Sequence, residues 1–255
     1  MLAEESGQAT ESERVDPGFV RALFDRIAPV YDPMNLLISF GLNHRWKRAT
    51  VRLAGTATPG ARVLDLCCGS GDLALISARL VGPGGRVVGL DFSPRMLEVF
   101  RRRLARLSRE GKGAVLAPVE LVMGDATDLS AFPEASFNLI TIGFGLRNLA
   151  DPEACLRESL RVLRPGGAMS ILDLSKPVHP LIYPGYLVHM WVVLPILSTL
   201  TTGSPKNYLW LVRSLGRFPD REGLKRMMES VGFVKVSVHP LAGGVAAIHV
   251  GRKPG

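Results

Sequence analysis

Three observations predict a doubly wound α/β fold for this chain of 255 residues. Apolar strand-like runs alternate with helical patterns from about residue 61 to residue 173. A glycine-rich turn follows the first run, and acidic residues fall at the ends of successive runs. Such alternation closes as a parallel sheet with crossover helices. The length suits one buried core and is short for two domains.

Arg62–Leu66 reads as the first strand, Asp72–Leu80 as its helix and Arg86–Asp91 as the second strand. Ser93-Pro94 has the form of a cap followed by proline at the first helical position. Glu120–Met123 and Phe137–Ile142 are short apolar runs of strand type. Asp151-Pro152 caps another helix, with Leu156, Leu160 and Leu163 expected on one face. The turn Arg164-Pro165-Gly166-Gly167 is expected to lead into a fifth strand, Ala168–Leu172. Asp220 opens a helix that turns Leu224, Met227, Met228 and Val231 inward. Val234–Val238 and Val245–Val250 then close the sheet as a hairpin. That makes seven strands with helices on both faces, and no internal repeat interrupts them.

The net charge is +8, which makes nucleic acid or an anionic membrane the first partners to weigh. Much of the excess lies between Arg95 and Lys112. There Leu97, Phe100, Leu104 and Leu107 keep helical spacing, so the arginines read as the solvated outer face of an amphipathic helix. The one aromatic residue there, Phe100, falls on the apolar face, so none stands among the arginines for stacking on single strands, and nucleic acid is not expected. A peripheral membrane contact and a homodimer both stay open. Three cysteines, Cys67, Cys68 and Cys155, have no metal-type spacing, so no metal is expected and a reducing, cytoplasmic setting is. Residues 1–16 carry neither a secretory nor a transit signal and read as a disordered leader.

From Pro177 to Pro205 there is no Asp, Glu, Lys or Arg. A spanning helix needs about 20 apolar residues, whereas Pro184 and Pro195 bracket about half of that. An apolar helix lining a cavity is expected here. A charge inside it, such as Val192→Glu, should then disturb an apolar ligand.

The chemistry concentrates in Val63-Leu64-Asp65-Leu66-Cys67-Cys68-Gly69-Ser70-Gly71-Asp72. Glycines let a cofactor approach the backbone, and the following helix offers unpaired N–H groups. The turn alone also fits a dinucleotide fingerprint, which leaves an NAD-dependent oxidoreductase open. The carboxylates argue further. Asp65 stands within the first strand, where it can hold the turn or meet a cofactor's amino group. Asp91 ends the second strand, placed for two ribose hydroxyls. Asp125, in Gly124-Asp125-Ala126, follows the third and can accept from an adenine amino group. Open α/β sheets bind ligands at these strand ends. A dehydrogenase shares the need for Asp91 but not for the other two.

These residues resemble the ubiquinone/menaquinone-biosynthesis C-methyltransferase family from about Phe19 to Lys253. The opening segment is Leu23-Phe24-Asp25-Arg26-Ile27-Ala28-Pro29-Val30-Tyr31-Asp32, then Met34-Asn35 and Ser39-Phe40-Gly41. The central signature is Thr141-Ile142-Gly143-Phe144-Gly145-Leu146-Arg147-Asn148, and the closing one Gly243-Gly244-Val245-Ala246-Ala247-Ile248-His249. Ser70 fits the family pattern, and departures are confined to the leader and to Arg101–Lys112.

The resemblance implies a class I S-adenosylmethionine-dependent methyltransferase of Rossmann-like type, with an apolar helical insertion and lid. Its parts would be lid helices at 17–55, a cofactor core at 56–176, a substrate insertion at 177–210 and a closing helix and hairpin at 211–255. Asp65, Gly69, Ser70, Gly71, Asp91, Asp125, Ala126 and Gly143 would bind S-adenosylmethionine. The signature looks most like that of members acting on naphthoquinols, so a prenylated quinol such as a demethylmenaquinol, or its phytyl equivalent, would be the substrate. Benzoquinol methylation is the alternative. Arg147 and Asn148 would favour the phenolate, Arg147 directly or through a water. Tyr31 and Asn35 would meet the second ring oxygen or the methionine moiety. His249, a candidate proton acceptor, reads first as a core residue.

Overall fold

A computed structural model describes residues 15–177, 183–196, 199 and 206–255. Its first fourteen residues, most of the expected leader, lie outside these, and so do parts of the insertion. Asp16, assigned to the leader, instead caps α1 (Pro17–Ile27) by accepting from the Gly18 N–H at 2.9 Å.

The sheet is built from β1 (Arg62–Leu66), β2 (Arg86–Asp91), β3 (Val119–Met123), β4 (Phe137–Gly143), β5 (Leu163–Leu174), β6 (Val234–Leu241) and β7 (Ala246–Arg252). Their order is β3-β2-β1-β4-β5-β7-β6. The first five run parallel, and β7 pairs antiparallel with both β5 and β6. β1 is apolar throughout except for Asp65 and its exposed first residue because both of its faces are covered. Val63 packs into one layer, while Leu64 and Leu66 pack into the other.

One layer holds α3 (Leu42–Ala54), α4 (Asp72–Val81) and α5 (Pro94–Arg109). The other holds α6 (Pro152–Val162) and α9 (Arg221–Val231). α3, expected among the lid helices, lies on the sheet, where Ser170 Oγ donates to the Thr50 carbonyl. α1 and α2 (Tyr31–Ile38) cover the strand ends, fastened by two hydroxyl–carboxylate bonds. Ser93 donates to Asp25 and Ser70 to Asp32, each at 2.6 Å.

Three boundaries differ from expectation. Leu163 begins β5 opposite Phe137 instead of ending α6. The stretch Arg164–Gly167 is a bulged part of that strand, since Gly166 and Gly167 exchange backbone bonds with Lys253. α8 (Lys206–Arg217) runs across the expected boundary at residue 210.

The described insertion forms α7 (Tyr183–Val188) and a wider π-type turn, His189–Val193. Among the described residues no helix is long and apolar enough to cross a membrane.

Candidate active site

β1 lies between β2 and β4, so the chain reverses direction across the sheet at that point and opens a crevice at the strand ends. A cavity occupies the crevice, lined by Gly69 after β1, Asp91 of β2, Asp125 and Ala126 after β3, and Gly143 and Gly145 around the end of β4. Five of the eight expected cofactor residues therefore share one wall: Gly69, Asp91, Asp125, Ala126 and Gly143.

The other three do not line it. Asp65 is buried behind the turn, accepting from the Ala74 N–H at 2.9 Å and the Thr141 hydroxyl at 2.7 Å. Burial raises its carboxyl to about 7 against those two bonds. These two bonds tie β1 to α4 and β4, in keeping with the structural one of the two roles left open for Asp65. Ser70 is spent on Asp32. Gly71 has φ +89, and a Cβ there would lie 2.1 Å from the Phe100 ring, so its glycine serves close packing.

Asp91 accepts from the Gly69 N–H at 2.8 Å and the Ser93 N–H at 2.9 Å. Burial raises its carboxyl to about 6, with those backbone donors opposing. Each of its oxygens keeps a lone pair for a ligand hydroxyl. Asp125 uses Oδ1 on Thr127, which leaves Oδ2. Two carboxylates on a wall otherwise rich in glycine backbone can accept from a ligand's hydroxyl and amino groups. Cys67 also lines this cavity. Its backbone is left-handed at φ 50, and burial pushes its thiol well up, so it stays neutral.

A second cavity adjoins the first. Phe24, Tyr31, Phe144 and Asn148 line both. Phe144 has φ 59, the kind of backbone strain that collects at functional sites. Beyond it the walls are mostly apolar: Met34 and Ile38 of α2, Trp46 of α3, then Tyr186, Met190 and Leu194 of the insertion. Arg147 is the only charged residue among the described residues lining it. Val192, expected within the groove, is half exposed and does not line the cavity. Tyr186, Met190 and Leu194 face inward because they repeat every four residues.

The polar groups cluster where the cavities meet. Arg147 Nη1 donates to Asp173 Oδ1 and to the Phe144 carbonyl. Asn148 is already engaged, donating to Phe144 at 3.1 Å and accepting from Trp210 Nε1 at 3.1 Å. Burial raises the Tyr31 phenol, with the charge of Lys47 opposing, so it is a neutral donor. The amide nitrogen of Asn35 is buried with no partner among the described residues. Of the four expected substrate groups, all line this cavity. His249 does not; it bonds the Arg221 carbonyl at 2.8 Å, and burial lowers its pKa.

Three participants had not been expected. Asp173 lies one residue before the end of β5 in Leu172-Asp173-Leu174, the same signal that marked Asp65 and Asp91: an acid within an apolar strand. Lys47 and Arg103 both bind Asp72 at the start of α4, at 2.7 and 2.6 Å. Arg103 thus departs from the solvated face assigned to its neighbours. Burial alone would raise Asp72, yet the two cations outweigh it and hold the carboxyl at about 2.

The sequence matches the model of the ubiE/COQ5 methyltransferase family over residues 8–253. It is 40% identical over 234 residues to the demethylmenaquinone methyltransferase of Staphylococcus aureus strain JH9, covering 92% of each chain. Among solved structures, a SAM-dependent methyltransferase from Aquifex aeolicus aligns with TM-score 0.55 at 19% identity, over 93% of this chain and 98% of that one. One from Thermotoga maritima aligns with TM-score 0.59 at 17% identity, over 92% and 99%. These two likenesses are to the fold.

Proposed function

We propose, from the premise that the chain belongs to the ubiE/COQ5 methyltransferase family, that it methylates a ring carbon of a prenylated naphthoquinol, turning a demethylmenaquinol into a menaquinol. The observation that carries this is the pair of cavities meeting at Tyr31, Phe144 and Asn148: one walled by carboxylates and glycines, the other apolar with a single buried guanidinium.

S-adenosylmethionine supplies an electrophilic methyl on a positively charged sulfur. Asp91 would hold its ribose and Asp125 its adenine, with Gly69 and Gly143 giving close backbone approach. The acceptor carbon must be nucleophilic, so the ring must be the quinol and not the electrophilic quinone. Loss of a hydroxyl proton to water spreads negative charge onto the unsubstituted ortho carbon, and the hydrogen on that carbon would leave to water once the new C–C bond has formed, restoring the aromatic ring. Arg147, always cationic, stabilises that phenolate in a cavity with little water to compete. Asn148 keeps the Phe144 turn and α8 in place, and Tyr31 and Asn35 meet the second ring oxygen. The walls hold the ring in line with the methyl, which replaces a bimolecular encounter by an oriented one.

The isoprenoid tail would lie along Ile38, Tyr186, Met190 and Leu194. Outside, the same two helices are also apolar. Leu36, Leu37, Leu187, Val188, Trp191, Val192 and Ile196 are all exposed. Arg45 and Arg48, exposed on the next helix, add positive charge. A membrane surface suits that combination, and a lipid-tailed substrate would enter from it.

An assay with chemically reduced naphthoquinol and benzoquinol acceptors tests the assignment. Faster methylation of the naphthoquinol is expected. Equal or faster turnover of the benzoquinol rejects the ring preference, and no product from either rejects the function.

A further inference from the structure

Arg147 is clamped from one side. Asp173 accepts from its Nη1 through Oδ1 and from its backbone N–H through Oδ2 at 3.3 Å, and it is itself braced by the Leu174 N–H at 2.8 Å. Asp173 is only 3% exposed and does not line the cavity. The same Nη1 also serves the Phe144 carbonyl. Nε is buried without a partner among the described residues, and the side-chain bonds that Arg147 makes to described residues run through Nη1 alone. The guanidinium is rigid and planar, so fixing Nη1 fixes the direction of Nη2.

We propose that Asp173 is a positioning residue that aims Arg147 Nη2 at the quinol oxygen that loses its proton. This rests on the quinol function proposed above. A buried ion pair is a poor device for stability, since an apolar pair of similar volume packs as well. Its place beside the cavity's charged group gives it a use. The carboxylate balances the guanidinium while the cavity is empty of an anion, and it holds the head still as the phenolate charge develops.

The test is a double-mutant cycle on the full chain with saturating cofactor and a short-tailed quinol. It compares wild type, Asp173→Asn, Asp173→Glu, Arg147→Gln and the double variant Arg147→Gln/Asp173→Asn. Asp173→Asn should lower kcat by about tenfold or more, with KM and S-adenosylhomocysteine affinity within about twofold. Asp173→Glu should recover part of the loss. On the Arg147→Gln background, Asp173→Asn should change kcat by less than about twofold, because the group it positions is gone. The double variant, unlike either single one, carries no lone buried charge, so it stays measurable if Asp173→Asn alone folds poorly. Losses that multiply across the cycle, or a cofactor affinity that falls in step with kcat, overturn the role of Asp173. A wild type that transfers no methyl to any quinol overturns the quinol function along with it.

Discussion

Asp91 is both a part of the fold and a part of the site. Its bonds to Gly69 and Ser93 shape the turn, so Asp91→Ala would disturb the backbone as well as the ligand. Asp91→Asn keeps the size of the side chain and one of the two backbone bonds, so it disturbs the turn less. Losing a hydrogen bond to a charged acceptor costs about 1.5–3 kcal/mol before water compensates, so affinity for S-adenosylhomocysteine should fall by about tenfold or more. The wild-type carboxyl, raised by burial to about 6, is protonated below that value and accepts hydroxyl bonds less well. Wild-type affinity should therefore weaken as pH falls from about 7.5 to about 5.5, while Asp91→Asn shows no such slope. Calorimetry at both ends of that range checks it. At this scale the acids and glycines were legible in the sequence because costly residue types stand out in an apolar strand. The partners of Asp65 and Asp72 were not, because nine residues separate Asp65 from Ala74 and 25 separate Asp72 from Lys47.

Among elements, α4 is anchored by Asp72, which ties it to Lys47 of α3 and Arg103 of α5. Its folded-state pKa of about 2 lies below the ordinary 3.8. The stabilisation is thus present above about pH 4 and lost as pH falls through about 2. Lys47→Met should cost about 2 kcal/mol at pH 7. The gap from wild type in denaturant melts should close between pH 4 and pH 2. A gap that stays constant with pH would mean that Lys47 contributes through packing alone. The insertion calls for a second pair of variants. Leu194→Glu places a charge on the inner face and Val192→Glu on the outer. Each buried methylene of a tail contributes about 0.8 kcal/mol, so Leu194→Glu should lose kcat/KM progressively with tails of one, two and several isoprene units. Val192→Glu should leave the short-tail value unchanged. Equal losses at every tail length for Leu194→Glu would place the tail elsewhere.

For the whole molecule, the apolar outer faces of α2 and the insertion flank the cavity that the tail would use. Vesicles of neutral lipid with an anionic fraction should co-sediment the wild type, and Trp191→Glu/Val192→Glu should abolish most of that binding. Cofactor affinity should stay intact, since neither residue lines the cavity at the strand ends. Vesicle binding that is unaffected by the pair, or a wild type that ignores vesicles and sediments as a dimer held by this face, would remove the membrane from the account. The contrast with α5 is instructive. Its arginines suggested an anionic surface from charge alone, yet Arg101 and Arg102 pair with Glu98 on the same helix and Arg103 turns inward.

Local chemistry determined the strand order's raw material. Alternating periods, Ser93-Pro94, Asp151-Pro152 and the glycine turn each depend on neighbours within a few residues, so β1, α4, β2, α5 and β4 stood almost where the chain had suggested. The carboxylates at successive strand ends were readable for the same reason. Only tertiary structure decided which side of a strand each acid faces. It sent Asp65 behind the turn and left Asp91 on the cavity, a choice set by the Thr141 hydroxyl, 76 positions away in sequence. It likewise turned Val192 outward and Met190 inward. In a segment apolar on every side, periodicity carries no direction, and packing against Ile38 and Leu215 supplies it.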